Sequence, residues 1–196
     1  MSFADHAFAK IIVKKVNHQT QTQYQAVIDE CKSLFLKKAR DYGTSWRIMR
    51  LPSITDQIMI KAQRIRSIQE KGKQEVPDDI RSEFVGILNY CIIALIQMSM
   101  PSDASIELSA EQLSKIYQEE ADKTFDLLLK KNHDYDEAWR EMRVSSMTDI
   151  ILMKLYRTKQ IEDHQGKMLV SEGVEANYRD MINYAVFCLI KWAEQS

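Results

Sequence analysis

DYGTSWRIMRLPSITDQIMIKAQR, residues 41–64, returns 93 residues later as DYDEAWREMRVSSMTDIILMKLYR, residues 134–157. Twelve of the 24 positions are identical: Asp41/Asp134, Tyr42/Tyr135, Trp46/Trp139, Arg47/Arg140, Met49/Met142, Arg50/Arg143, Ser53/Ser146, Thr55/Thr148, Asp56/Asp149, Ile58/Ile151, Lys61/Lys154 and Arg64/Arg157. Asn89-Tyr90 against Asn183-Tyr184 matches at an offset of 94, so one residue separates the two blocks' connections. A unit of about 80 residues is duplicated. Most of the identities are polar or aromatic, whereas a repeat kept only for packing would mainly share its apolar pattern.

Working outward, the composition favours helices. The 196 residues include only five Gly and three Pro, against many Met, Leu, Ile, Lys, Glu and Gln. The expected fold is all-α, a tandem repeat of two three-helix units packed about a pseudo-twofold axis, an internal version of a symmetric dimer. The expected boundaries are an N-terminal arm at 1–22, a first repeat at 23–100, a linker at 101–109 and a second repeat at 110–196.

The periodicity places the elements. Thr20 and Gln23 have capping-box spacing, and Val27, Cys31, Leu34 and Phe35 follow on one helical face. Gly43 is placed to end that helix in a left-handed conformation. Ser109 and Gln112 open the matching helix. Ser53 with Asp56, and Ser146 with Asp149, predict caps for the second helix of each unit. GKQEVPDD, residues 72–79, is read as a loop. The last helix of each unit is apolar nearly all round and should lie at the centre.

A net charge of −1 gives no global field to draw in DNA or an anionic membrane, so nucleic-acid binding would need a local patch. Cys31, Cys91 and Cys188 lie apart on apolar stretches without CxxC spacing, which fits buried thiols in a reducing cytoplasm. The N-terminus lacks the long apolar core of an export signal, and the run from Gly86 to Ile96 is short for a bilayer span.

The shared residues suggest chemistry. Asp41, Tyr42, Trp46, Arg47 and Arg50, with Asp134, Tyr135, Trp139, Arg140 and Arg143, gather a carboxylate, a phenol, an indole and two guanidiniums near a helix end. Guanidiniums bind phosphate in bidentate fashion and aromatic rings stack on bases. Lys61 with Arg64, and Lys154 with Arg157, project together from their helices as cationic forks. In one reading these residues converge on a phosphate-bearing ligand. In the other, the tryptophans anchor the core and the arginines pair with Asp41 and Asp134. Capping accounts for Asp56 and Asp149. Asn89 and Asn183 interrupt apolar helices, so their amides must bond across the axis or face a ligand.

Histidines lack zinc-ligand spacing, and no P-loop, GxGxxG or GxSxG occurs. Magnesium, held by Asp41, Asp56, Glu83, Asp134, Asp149 and Asp180 together with substrate phosphates, is the cofactor this acid pattern would take. Asp180 stands opposite Gly86, so a metal site would be unequal between the units.

KARDYGTSWR (residues 38–47), Ser53/Asp56, Lys61/Arg64 and Asn89-Tyr90, with KNHDYDEAWR (residues 131–140), Ser146/Asp149, Lys154/Arg157 and Asp180-x-x-Asn183-Tyr184, resemble the nucleotide-modification-associated domain 1 family. Two copies cover nearly the whole chain. The resemblance implies an all-α domain linked with nucleotide or modified-base metabolism, and a nucleotide or similar phosphate-bearing small molecule as partner. The layout also resembles the all-α nucleotide pyrophosphohydrolases, whose E-x-x-E and E-x-x-D motifs hold magnesium. Here Lys-x-x-Arg stands where a paired acid would be expected. Nucleotide binding is therefore the leading expectation, ahead of magnesium-dependent hydrolysis and of a helical interaction scaffold.

Overall fold

The computed structural model describes residues 3–72, 79–101, 104–135, 137–164 and 173–195, with the side chains of 3–17 and 131–135 excluded. Six α-helices make up the described residues: α1 (Phe3–Tyr42), α2 (Leu51–Lys71), α3 (Ile80–Ser99), α4 (Ala110–Tyr135), α5 (Val144–Asp163) and α6 (Gly173–Gln195). Short 3-10 turns at Ser45–Ile48 and Ala138–Glu141 precede α2 and α5. The described residues are all helix and loop, as the composition predicts.

Local signals explain some boundaries and not others. Gly43 ends α1 at φ +62 and Gly72 caps α2 at φ +67, left-handed positions where a side chain would be strained. Ser109 and Gln112 form a reciprocal capping box at the head of α4, with N–H···O distances of 2.9 and 3.1 Å. Asp79 accepts from Ser82 N–H at 2.7 Å and caps α3.

Three expected caps are corrected. α1 runs through Thr20 without a break; the Thr20 side chain instead bonds Glu137 and Arg140 in the second unit. α2 begins at Leu51 with Pro52 in its first turn, and α5 at Val144, so Ser53/Asp56 and Ser146/Asp149 lie inside their helices. Asp56 pairs with Lys159 at 2.6 Å and Asp149 with Arg66 at 3.7 Å, each reaching the other unit. Most of the predicted 72–79 loop lies outside the described residues.

α2 packs on α3, α3 on α6, α6 on α5 and α5 on α2, with α1 and α4 laid against this centre. Ile54, Ile58, Ala62 and Ile65 supply the inner face of α2, and Met147, Ile151, Leu155 and Ile161 that of α5. α3 has the length and apolarity of a membrane-crossing helix, yet most of it is buried against its neighbours. All three cysteines are buried, and burial pushes the Cys31 thiol up to about 12, which leaves it an unreactive packing group.

The two central asparagines bond across the units. Tyr117 donates to Asn89 Oδ1 and Tyr24 donates to Asn183 Oδ1, both at 2.9 Å, while Asn89 Nδ2 also donates to the Cys31 carbonyl at 3.1 Å. Burial raises both tyrosine hydroxyls above their ordinary range, so they remain donors. Thr55 with Glu162 (2.7 Å) and Gln69 with Thr148 (3.1 Å) join the units at corresponding positions.

Candidate functional site

A cavity of about 420 Å³ opens in the first unit where α1 ends and the 3-10 turn begins, with α2 and α3 behind it. The left-handed Gly43 turns the chain so that Tyr42 and Trp46 face one space rather than opposite sides. Phe35, Tyr42, Trp46 and Tyr90 give it aromatic walls. Trp46 is held against Phe35, ring centroids 6.4 Å apart, while Tyr42 stands 74% exposed at the rim. Lys38 and Lys61 supply positive charge, and Ser45, Ser82 and Asn89 supply neutral polar groups.

Lys61 reaches the cavity because of Gly86. A Cβ on Gly86 would lie 2.7 Å from Lys61 Cε, so the lysine stem occupies the room that the glycine leaves. Its ammonium bonds Glu83 at 3.0 Å and lies 6.0 Å from the Tyr90 ring centroid. Glu83, buried on α3, also binds Arg64, so one carboxylate is shared by two cations.

The second unit is built differently at this point. Asp180 stands at the Gly86 position and binds Lys154 at 2.6 Å, with both side chains 12% exposed. This pair lies away from most water, where the attraction is least screened. Asp136 and the side chains of Lys131, Asp134 and Tyr135 lie outside what the structure describes.

Of the expected site residues, Tyr42, Trp46, Lys61, Asn89 and Tyr90 come together. Several of the others are engaged elsewhere. Arg47 donates to Gln97 at 2.6 Å and to the Ala104 carbonyl at 3.5 Å, while Gln97 donates back to the carbonyls of Arg47 and Met49. Arg140 binds Glu137, Glu194, Thr20 and Gln23, and its guanidinium lies 4.4 Å from the Trp139 ring. These arginines fasten the 3-10 turns to the helices around them rather than converging on one anion. Arg50 and Arg143 are exposed caps, Arg157 is exposed, and Asp41 is exposed at the end of α1. Trp139 is buried and stacked on Phe187 at 4.3 Å, with Tyr184 edge-on to the same ring, so this tryptophan is a core anchor.

The acids expected to hold magnesium are dispersed. Asp56, Glu83, Asp149 and Asp180 each face a cation, and among the described residues no three His, Cys, Asp or Glu side chains gather as a metal cluster.

Sequence reasoning missed Gly86, Lys38 and Phe35 as parts of one pocket. The usable signal was a lone glycine inside an otherwise apolar helix, facing an aspartate in the other repeat.

No curated protein and no solved structure shows a match to this chain. The family model described as nucleotide modification associated domain 1 matches residues 38–98 and again 131–192. Its first match holds every residue of the cavity from Lys38 onward, and the two matches together span more than half of the sequence. The chain therefore belongs to the nucleotide modification associated domain 1 family, as two tandem copies.

Proposed function

We propose that the first unit binds a nucleotide or closely related phosphate-bearing small molecule in the cavity between Tyr42, Trp46, Lys61 and Tyr90. The observation that carries the reading is the composition of that cavity: aromatic walls for a base, and two lysines for a phosphate, within one space of about 420 Å³. Lys61, Tyr42 and Trp46 are also among the residues repeated in both units, and the family's description links it with nucleotide modification. The pairing of Glu83, Asp180 and Asp56 with cations supports binding over metal-dependent hydrolysis.

The arrangement that positions the site is, in the same reading, a pair of three-helix units about a pseudo-twofold axis. Its support is the exchange of equivalent bonds: Tyr24 to Asn183 against Tyr117 to Asn89, and Asp56 to Lys159 against Asp149 to Arg66.

A thermal-shift screen of nucleosides and nucleotides tests the binding reading, since a ligand at 100 times its dissociation constant adds about 2.7 kcal/mol to stability. The expected result is stabilisation by at least one nucleotide, together with dissociation at least about tenfold tighter for the parent than for Lys61→Met, because a charge-assisted contact to phosphate is lost. Stabilisation that is unchanged in Lys61→Met would place the ligand elsewhere.

A further inference from the structure

We infer that the ligand enters this cavity base first and keeps its phosphate at the mouth beside Lys38, so that the site selects by the base and takes nucleoside mono-, di- and triphosphates alike. The inference rests on the proposed nucleotide site and gives it an orientation.

Burial divides the lining into a floor and a rim. Phe35, Val85, Asn89 and Ile93 line the cavity and are at most 9% exposed. Leu34, Lys38 and Tyr42 recur at every fourth position along the end of α1, so they share one side of it, and all three are exposed. The floor is mostly apolar and the rim is open to water. A base gains from leaving water and stacking on aromatic rings, whereas a phosphate is costly to bury unless its charge is fully paired.

The cations lie where this division puts the phosphate. Lys38 makes no hydrogen bond or ion pair among the described residues, so its ammonium can meet a phosphate without first breaking a contact. Lys61 lines the same cavity from α2 with its side chain 27% exposed, well above the floor residues. Phosphates beyond the first then extend from the mouth into solvent, where their charge is screened, and the length of the phosphate chain has little effect.

The polar groups of the more buried wall suit a base edge. Asn89 Nδ2 donates to the Cys31 carbonyl at 3.1 Å and Oδ1 accepts from Tyr117 at 2.9 Å. A carbonyl can only accept, so the Cys31 contact fixes which end of the amide is the nitrogen. That nitrogen carries two N–H groups, and one remains after the bond to Cys31. Glu83, with its side chain 8% exposed, adds acceptor oxygens to the lining. A donor and an acceptor in a largely dry wall match the mixed edge of a base, and neither is needed for the phosphate.

Titration calorimetry of the full chain without magnesium provides the test, using adenosine, guanosine, cytidine, uridine and thymidine with their 5′-mono-, di- and triphosphates. For at least one base, the monophosphate should bind at least about tenfold tighter than the nucleoside, with the di- and triphosphate within about threefold of the monophosphate. Lys38→Met should remove most of this phosphate gain and leave the nucleoside's affinity, measured by competition, within about twofold of the parent. A fluorophore joined to the terminal phosphate of the preferred nucleotide should be tolerated, and the same fluorophore joined to its base should abolish binding. This comparison of labels needs no variant. A label accepted on the base and refused on the phosphate, a triphosphate at least about tenfold weaker or tighter than the monophosphate, or an undiminished phosphate gain in Lys38→Met would overturn the orientation and leave nucleotide binding standing. No heat with any of these compounds would overturn both.

Discussion

Asn89 joins the packing between the units to the wall of the cavity. Its amide bonds Tyr117 and the Cys31 carbonyl, and it also lines the cavity, so the cavity wall is braced by a contact between the units. Asn183 meets Tyr24 in the same way. Removing either hydroxyl leaves a buried amide oxygen without its donor, which costs roughly 1–3 kcal/mol. Tyr24→Phe and Tyr117→Phe are therefore expected to lose similar stability in urea denaturation. A large loss in one and none in the other would contradict the pseudo-twofold arrangement. Sequence periodicity revealed that Asn89 and Asn183 needed partners, because an amide on an apolar helix has no water to turn to. It could not separate Arg47 and Arg140 from Lys61, since a guanidinium that ties a turn to a helix and a cation that faces a cavity obey the same spacing.

Among the elements, helix starts divide into those encoded locally and those imposed by packing. The capping box of Ser109 and Gln112 is formed as the pattern predicts. The same pattern at Thr20 lies within α1, where the threonine hydroxyl is taken up by Glu137 and Arg140 of the second unit. At α2 and α5 the 3-10 turns deliver the chain already folded at Arg50 and Arg143, so each helix begins before its apparent cap at Ser53 or Ser146. Ser109→Ala is expected to cost about 1 kcal/mol, within the usual range for an N-cap. Ser53→Ala, at an exposed position inside α2, should stay within about 0.5 kcal/mol of the parent. Equal losses in chemical denaturation would show that the local pattern, rather than the observed start of the helix, controls stability.

Across the whole molecule, all-α architecture and duplication were legible because both are properties of many residues at once. A repeat of polar identities survives drift, and helix-favouring composition is summed along the chain. The cavity was not legible, because it depends on one glycine's empty space and on which carboxylate reaches which cation.

The contact between the units also carries a pH signature. Glu162 of α5 accepts from Thr55 of α2 at 2.7 Å and from Tyr178 of α6 at 3.3 Å, and burial holds its carboxyl above the usual carboxylate range. A raised folded-state value means that the folded protein binds more protons than the unfolded chain between the two values, so stability falls as pH rises through that window. Glu162→Gln keeps an acceptor oxygen and removes the buried charge. It should flatten this decline, measured as urea midpoints from pH 4 to 8, and match or exceed the parent's stability at pH 8. A decline of undiminished slope in the variant would assign the effect to other groups.

Gly86 and Asp180 have a consequence for the history of such a chain. The codons GGU and GGC specify glycine and GAU and GAC specify aspartate, so a single base change can interconvert the two residues. Two copies of one gene segment could therefore part company in a single mutational event, one leaving room beside Lys61 and the other setting a carboxylate against Lys154. The helices that carry them need not be redesigned, and neither copy need lose its place in the shared core.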